Sequence, residues 1–162
     1  NTFYWYDYET FGLSPKVQRI AQFAGIRTDE NLNVLDEHMF YCKPTHDSLP
    51  APEACAVTGI TPQLCEKKGF IEHEFIKKIH DEFSKPGTCI VGYNSIAFDD
   101  EYTRHTLFRN FLDLTLGIGK MAMQDGTYLM WQDFAMHIKK REALIGLKMK
   151  EIDLSLNLIY LG

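Results

Sequence analysis

The sequence predicts an α/β domain in which a three-strand meander is joined by one parallel strand. Three strand-like runs, at residues 2–9, 20–29 and 31–44, follow one another without an intervening helical segment. An amphipathic segment at 70–85 then precedes a short apolar run at 88–94. Because parallel strands need a crossover connection, this order predicts a fourth strand that a helix carries back beside the sheet.

Local sequence features predict each element of the first half of the chain. Residues 2–9 are rich in aromatic side chains, which favour strands, and 20–29 continues as a second strand. Residues 31–44 begin with a turn and continue as the third strand. The proline-rich stretch at 45–52 predicts a loop, and the segment around "TGIT" at 58–61 predicts two short helical turns.

The second half alternates helix and strand. Apolar residues with helical spacing predict that 70–85 is an amphipathic helix, and they stand at positions 71, 75, 76, 79 and 83. The run at 88–94 follows Pro86 and Gly87 and is short and apolar, as in a buried strand. Residues 97–111 place acids in the first helical turn and arginines later, a charge order that suits the helix dipole.

Composition sets broad limits. The 162 residues suffice for one domain with a core, and 45% hydrophobic and 24% charged residues are typical of globular proteins. A net charge of −5 gives no compositional sign of a nucleic-acid partner. No apolar run approaches the roughly 18 residues of a membrane span, so we expect no membrane association. The four cysteines form no Cys-x-x-Cys pair, which favours reduced structural thiols in a cytoplasmic protein.

Two carboxylates in the first strand are unusual for a buried, aromatic segment. Asp7 and Glu9 stand two residues apart, so they share one face of the strand. Asp99 and Asp100 follow the fourth predicted strand, and if that strand lies beside the first, Asp99 can face the pair. Clustered carboxylates bind hard cations such as Mg²⁺ or Mn²⁺, and two such ions support in-line attack on a phosphodiester.

Plainer interpretations stay open for each feature alone. An Asp-x-Glu pair in a strand is more often a solvated face, and Asp99 with Asp100 can simply favour a helix N-terminus. Arg104 and Arg109 are by default solvated helix residues, and "TGIT" is most often just a loop. The features point to a site because they occur together, in this order and on this predicted fold.

Several long motifs closely resemble one family. "DYETFG", "AQFAGIRTD", "FYCKP", "TGITPQ" and "GYNSIAFDDEYTRHTLFRNF" are similar to the N-terminal part of the bacterial exodeoxyribonuclease I family. That family belongs to the DEDD superfamily of 3′→5′ exonucleases, on the ribonuclease H-like fold. The resemblance runs from residue 3 to about 113, which implies a partial exonuclease domain at residues 1–113.

The resemblance implies roles for individual residues. Asp7, Glu9 and Asp99 match three metal-binding acids of the catalytic site. Further matches fall at positions that contact the substrate strand, where phosphate contacts and base stacking hold single-stranded DNA. The substrate-binding residues implied in this way are Glu9, Thr10, Thr58, Gly59, Ile60, Asn94 and Arg104.

The resemblance also implies an activity and its partners. It implies hydrolysis of single-stranded DNA from the 3′ end to 5′-mononucleotides with two Mg²⁺ ions, Mn²⁺ being the alternative, in DNA repair and recombination. A single-stranded DNA-binding protein is the implied protein partner, and we expect a monomer. The alternatives are an inactive fragment or DNA-binding remnant, and a DEDD exonuclease that trims RNA.

The likeness ends at Asp113, and the tail at 114–162 departs from the family. The family supplies a general-base histidine and a fourth acid about five residues apart, whereas His137 and Asp153 have the wrong spacing, so neither role is transferred to them.

A shift of the reading frame can account for the tail. Residues 114–117 can be encoded CTT ACG CTT GGG, and one extra C in front yields Pro-Tyr-Ala-Trp, the family's continuation. The same displacement gives family-like segments at 121–127, 132–142 and 144–148. We therefore predict that the tail is a frame-shifted reading of an exonuclease gene.

Overall fold

A four-stranded mixed sheet forms the frame of the molecule. The computed structural model describes residues 1–92 and 98–113. The strands are β1 (Thr2–Thr10), β2 (Ile20–Thr28), β3 (Val34–Tyr41) and β4 (Thr88–Gly92). They lie in the order β3-β2-β1-β4, with β1–β2 and β2–β3 antiparallel and β4 parallel to β1. The predicted α/β class, with a meander and one parallel strand, is confirmed.

Within the described residues, four helices accompany the sheet at the predicted places. They are α1 (Pro52–Thr58), α2 (Pro62–Lys68), α3 (Glu72–Phe83) and α4 (Asp99–Arg109). Both short helices start with proline, whose missing N–H and fixed φ suit a first helical position. Gly59 ends α1 at a φ of 74°, a left-handed conformation that favours glycine, and the Thr61 hydroxyl caps α2 by accepting from the Leu64 N–H.

Aromatic side chains on alternate residues of β1 form the core. Tyr4, Tyr6 and Tyr8 are buried, and each has ring contacts with Phe23 of β2. The apolar face of α3 contributes Phe75, Ile76, Ile79 and Phe83. Ile71, predicted for the same face, is 53% exposed because it is the N-cap residue and precedes the first helical turn.

Arg27 joins four elements at the other end of the sheet from the predicted site. Its guanidinium is buried and donates to the hydroxyls of Thr2 and Thr88, at 2.9 and 2.7 Å. It also donates to the backbone carbonyl and the carboxylate of Glu82, both at 2.9 Å, and lies over the Tyr4 ring. A buried charge needs such pairing, since an unpaired one is costly.

The remaining fold expectations concern the thiols and the membrane. All four cysteines are free, and Cys42 and Cys65 are buried, as expected of structural thiols. Burial raises the pKa of both thiols, so they stay protonated and unreactive. Within residues 1–92 and 98–113, no helix is long and apolar enough to cross a membrane.

Removing the Arg27 guanidinium tests its role in joining the elements. We expect Arg27→Ala to lower the free energy of unfolding of the full chain by about 3 kcal/mol, because it leaves buried partners unpaired. Lys77→Ala is the matched control, since it breaks an exposed pair with Asp81 and costs less than about 0.5 kcal/mol. Urea unfolding measures both, and equal losses would contradict the assignment.

Candidate active site

Asp7 and Glu9 interrupt the buried pattern of β1. Asp7 is exposed and Glu9 is half-buried, while the neighbouring Tyr6 and Tyr8 are buried. The two-residue period of a strand therefore separates the acids from the tyrosines along the same segment. The pairing with β2 shifts register immediately after Glu9, so the regular ladder changes where the acids end.

Asp99 is the third predicted acid and the first residue of α4. Asp99 is buried, with only 5% of its surface exposed. Its Oδ1 atom is buried and has no hydrogen-bond partner among the residues that the structure describes. A buried carboxylate oxygen without a partner is costly, so this atom is a candidate ligand for a cation.

Hydrogen bonds that join β1 to the start of α4 bring Asp99 beside the strand that carries Asp7, and the charge of Asp7 acts on Asp99. Burial raises the pKa of Asp99 to about 7, and the charge of Asp7 is the next largest cause. Desolvation also raises the pKa of Asp7, since protein surrounds this carboxylate although it remains accessible to solvent. A hydrogen bond from the Tyr8 backbone N–H opposes both increases. The two carboxylates therefore repel each other when both are charged.

The arrangement fits a hard divalent cation. Carboxylate oxygens are the ligands that Mg²⁺ and Mn²⁺ prefer, and a cation would both pair the buried Asp99 oxygen and relieve its repulsion from Asp7. Glu9 lies on the same strand two residues beyond Asp7, where a third carboxylate can complete such a set.

A second group of possible ligands lies elsewhere. Across the described ranges, Asp36, His38 and Glu82 are the one group whose ligand atoms all lie within 4.8 Å of one another. Glu82 there already pairs with two cations, Arg27 and Lys85, which disfavour a metal ion. The three predicted acids do not reach that compactness, but carboxylates that share two ions about 3.5–4 Å apart need not surround one point.

Tyrosine hydroxyls that the sequence analysis did not single out join β1 to α4. The Tyr6 hydroxyl donates to the Asp100 carboxylate at 2.7 Å, and the hydroxyls of Tyr8 and Thr103 lie 2.9 Å apart. The Tyr102 hydroxyl donates to the Gly12 carbonyl at 2.8 Å, just beyond β1. The sequence held one signal for these contacts, the use of tyrosine rather than phenylalanine in a core strand. A buried tyrosine hydroxyl requires a hydrogen-bond partner on a neighbouring element.

The predicted substrate-binding segment at 58–61 lies at the end of β1. Ile60 is buried in a cluster with Phe11, Ala21, Tyr41 and Cys65. Its side chain is therefore part of the core, while the Thr58 hydroxyl donates to the Ala54 carbonyl and accepts from the Ile60 N–H. Thr10 is also buried and donates to the Gly12 carbonyl at 2.6 Å. Contacts of these residues with a nucleotide stay predictions.

The two arginines of α4 differ. The Arg104 side chain is 59% exposed and lies 3.5 Å from the Glu101 carboxylate, so it is available at the surface. Arg109 is not the solvated residue expected by default, because it is largely buried and pairs with Glu72 at 2.9 Å. Asn94, His137 and Asp153 lie outside the described residues.

Comparisons with known proteins agree with this fold. The family model described as Exonuclease matches residues 4–136. Exodeoxyribonuclease I of Haemophilus influenzae is 58% identical over 113 residues, which is 69% of this chain and 24% of the relative. The crystal structure of Escherichia coli exonuclease I with a dT13 oligonucleotide is 53% identical, with a TM-score of 0.68 over 70% of this chain and 25% of that one.

A further solved structure, the ExoI/SSB-Ct complex, is also 53% identical with a TM-score of 0.68, over 70% of this chain and 25% of that chain. The chain spans about a quarter of the length of the curated relatives it matches.

The mixed sheet, with its flanking helices and its acids near the end of β1 and at the start of α4, defines a ribonuclease H-like domain. The chain belongs to the exonuclease family, and its relatives place it with the exodeoxyribonuclease I type. The predicted family and fold are therefore confirmed. Exonucleases of this family generally use divalent metal ions. The family model extends past residue 113 to residue 136, and the predicted boundary of the tail stays a prediction.

The repulsion at Asp99 predicts a pH-dependent gain in stability when its charge is removed. The folded pKa of about 7 exceeds the ordinary 3.8, so the contribution of Asp99 to stability is present below about pH 4 and lost as the pH rises toward 7. In the metal-free full chain, we expect Asp99→Asn to raise the unfolding midpoint by about 5 °C at about pH 8 and by much less at about pH 4.

Asp81→Asn is the control for this measurement. The hydrogen bond from Lys77 lowers the pKa of the exposed Asp81 carboxyl, so its replacement gives no gain at the higher pH. Thermal unfolding in a chelator measures both variants. A loss of stability in Asp99→Asn at the higher pH would contradict the predicted repulsion.

Proposed function

We propose that the gene encodes a 3′→5′ exonuclease that degrades single-stranded DNA to 5′-mononucleotides in DNA repair and recombination. The buried Asp99 Oδ1 atom, which has no hydrogen-bond partner among the described residues and belongs to the helix joined to β1, is the observation that carries the proposal. Membership of the exonuclease family supports the reaction class, and relatives named exodeoxyribonuclease I support DNA as the substrate.

Asp7, Glu9 and Asp99 would hold the metal ions in this proposal. Two Mg²⁺ ions, when bound, activate the attacking water and stabilise the leaving 3′ oxygen. The chain's own contribution is to present the oxygen ligands: Asp7 and Glu9 from a rigid strand and Asp99 from the start of α4. The buried Asp99 Oδ1 without a partner supports the cation requirement.

The same end of β1 would receive the DNA end. Ile60, at the end of the 58–60 segment, packs with Phe11, which directly follows Thr10, and this supports the proposed position of the terminal nucleotide. Arg104 is exposed on the helix that begins with Asp99, and a guanidinium there can contact a phosphate of the strand. We propose Asn94 as a further contact.

We also propose that the 162-residue chain itself has little activity. Residues 114–162 would be the frame-shifted tail, so the general base and the fourth acid of the family would be missing. Loss of one member of a catalytic unit usually lowers the rate by orders of magnitude. The matches to relatives are 113 and 114 residues long and leave about 30% of the chain uncovered, which supports a departure from the family within the chain.

Sequencing the source DNA across codons 108–120, followed by an activity comparison, tests the proposal. We expect the product of a frame restored by one base to release nucleotides from the 3′ end of single-stranded DNA at least ~100-fold faster than the 162-residue chain. Asp7→Asn in the restored product should abolish the release, while Lys77→Ala, at an exposed pair, should not. A restored product without metal-dependent release would contradict the proposal.

Substrate comparison separates the alternatives. DNA and RNA strands of the same sequence, each labelled at the 5′ end, distinguish a deoxyribonuclease from an RNA-trimming exonuclease of the same superfamily. Faster shortening of RNA would contradict the proposed substrate, whereas binding of DNA without shortening would indicate a DNA-binding remnant. The ExoI/SSB-Ct complex supports a single-stranded DNA-binding protein as a partner of the complete enzyme.

A further inference from the structure

The start of α4 is fixed to β1 by a directed chain of hydrogen bonds. The Thr103 hydroxyl donates its proton to the Asp99 backbone carbonyl at 2.9 Å. Since a threonine hydroxyl has only one proton, the Tyr8 hydroxyl must be the donor in its 2.9 Å contact with Thr103. The chain therefore runs from the Tyr8 hydroxyl through Thr103 to the backbone of Asp99.

A second hydroxyl acts on the neighbouring residue. The Tyr6 hydroxyl donates to Asp100 Oδ1 at 2.7 Å. A tyrosine hydroxyl is protonated at neutral pH, so both hydroxyls can donate. Two consecutive residues at the start of α4 are thus tied to two residues of β1 that immediately flank Asp7.

These hydroxyls contribute position more than stability. A buried hydrogen bond adds little net stability, because folding exchanges bonds to water for bonds within the protein. Phenylalanine would fill the same core volume without needing a partner. Tyrosine at residues 6 and 8 adds a directional contact that fixes the rotation of α4 about its axis and its position along β1. It thereby fixes the direction of the Asp99 side chain.

We propose that Tyr6 and Tyr8 are positioning residues, which hold α4 so that the Asp99 carboxylate faces Asp7 as a metal ligand. This inference rests on the proposed function, since it assigns both tyrosines to the same metal site. Neither side chain would contact the metal or the DNA. Each would act through its partner on α4, Asp100 or Thr103.

Manganese affinity of the full 162-residue chain tests the inference, and it requires no catalytic activity. Titration with Mn²⁺ alone, followed by electron paramagnetic resonance, measures the free ion directly. We expect Tyr8→Phe and Tyr6→Phe each to weaken Mn²⁺ binding about tenfold, as loss of groups that orient metal ligands does. Thr103→Val should weaken it equally, and adding Tyr8→Phe to Thr103→Val should have little further effect.

Tyr4→Phe is the matched control. Tyr4 is a buried tyrosine of the same strand, but its hydroxyl lies 3.0 Å from His38 on β3, whereas those of Tyr6 and Tyr8 contact α4. It should change Mn²⁺ affinity by less than about twofold. Thermal unfolding of every variant distinguishes a loss of Mn²⁺ affinity in a folded chain from a loss caused by unfolding. If Tyr8→Phe fails to fold, Thr103→Val tests the same contact from α4.

Asp7→Asn distinguishes failure of the inference from failure of the proposed function. If Asp7→Asn weakens Mn²⁺ binding and Tyr8→Phe behaves like Tyr4→Phe, the positioning role is overturned while the metal site stands. If Asp7→Asn leaves Mn²⁺ binding unchanged, the metal site is overturned, and the positioning role with it.

Discussion

The two-residue period of β1 is the constraint on which the rest of the structure depends. It sends Tyr4, Tyr6 and Tyr8 into the core while Asp7 and Glu9 remain accessible. A slip of one residue in the pairing of β1 would bury the acids and expose the aromatic rings. The ring contacts with Phe23 and Phe83 hold the register against such a slip, and they thereby place the carboxylates.

The fold holds two carboxylates of the candidate site close enough to repel each other. Asp99 is buried beside the charge of Asp7, with one carboxylate oxygen left without a partner among the described residues. Such an arrangement lowers the stability of the metal-free chain, and a bound cation would relieve it. At the opposite end of the sheet the buried charge of Arg27 is paired, since its two terminal nitrogens donate to Glu82 and to two threonine hydroxyls.

Much of this organisation could be predicted from the sequence. The order of elements, the parallel fourth strand and the nearness of Asp99 to Asp7 follow from local patterns and from the crossover rule. The contacts between hydroxyls and α4 could not, because they depend on the rotation of a helix about its own axis, which periodicity does not fix. Ile71 and Arg109 show the same limit: the helix boundary left Ile71 exposed, and tertiary pairing with Glu72 buried Arg109.

The central claim is that Asp7, Glu9 and Asp99 form a divalent metal site. Anomalous diffraction from crystals of the full chain soaked in Mn²⁺ tests it most directly. We expect anomalous density about 2.0–2.2 Å from carboxylate oxygens of Asp7 and Asp99, with Glu9 beside it. Density at Asp36, His38 and Glu82 instead, or no density near Asp7, would contradict it.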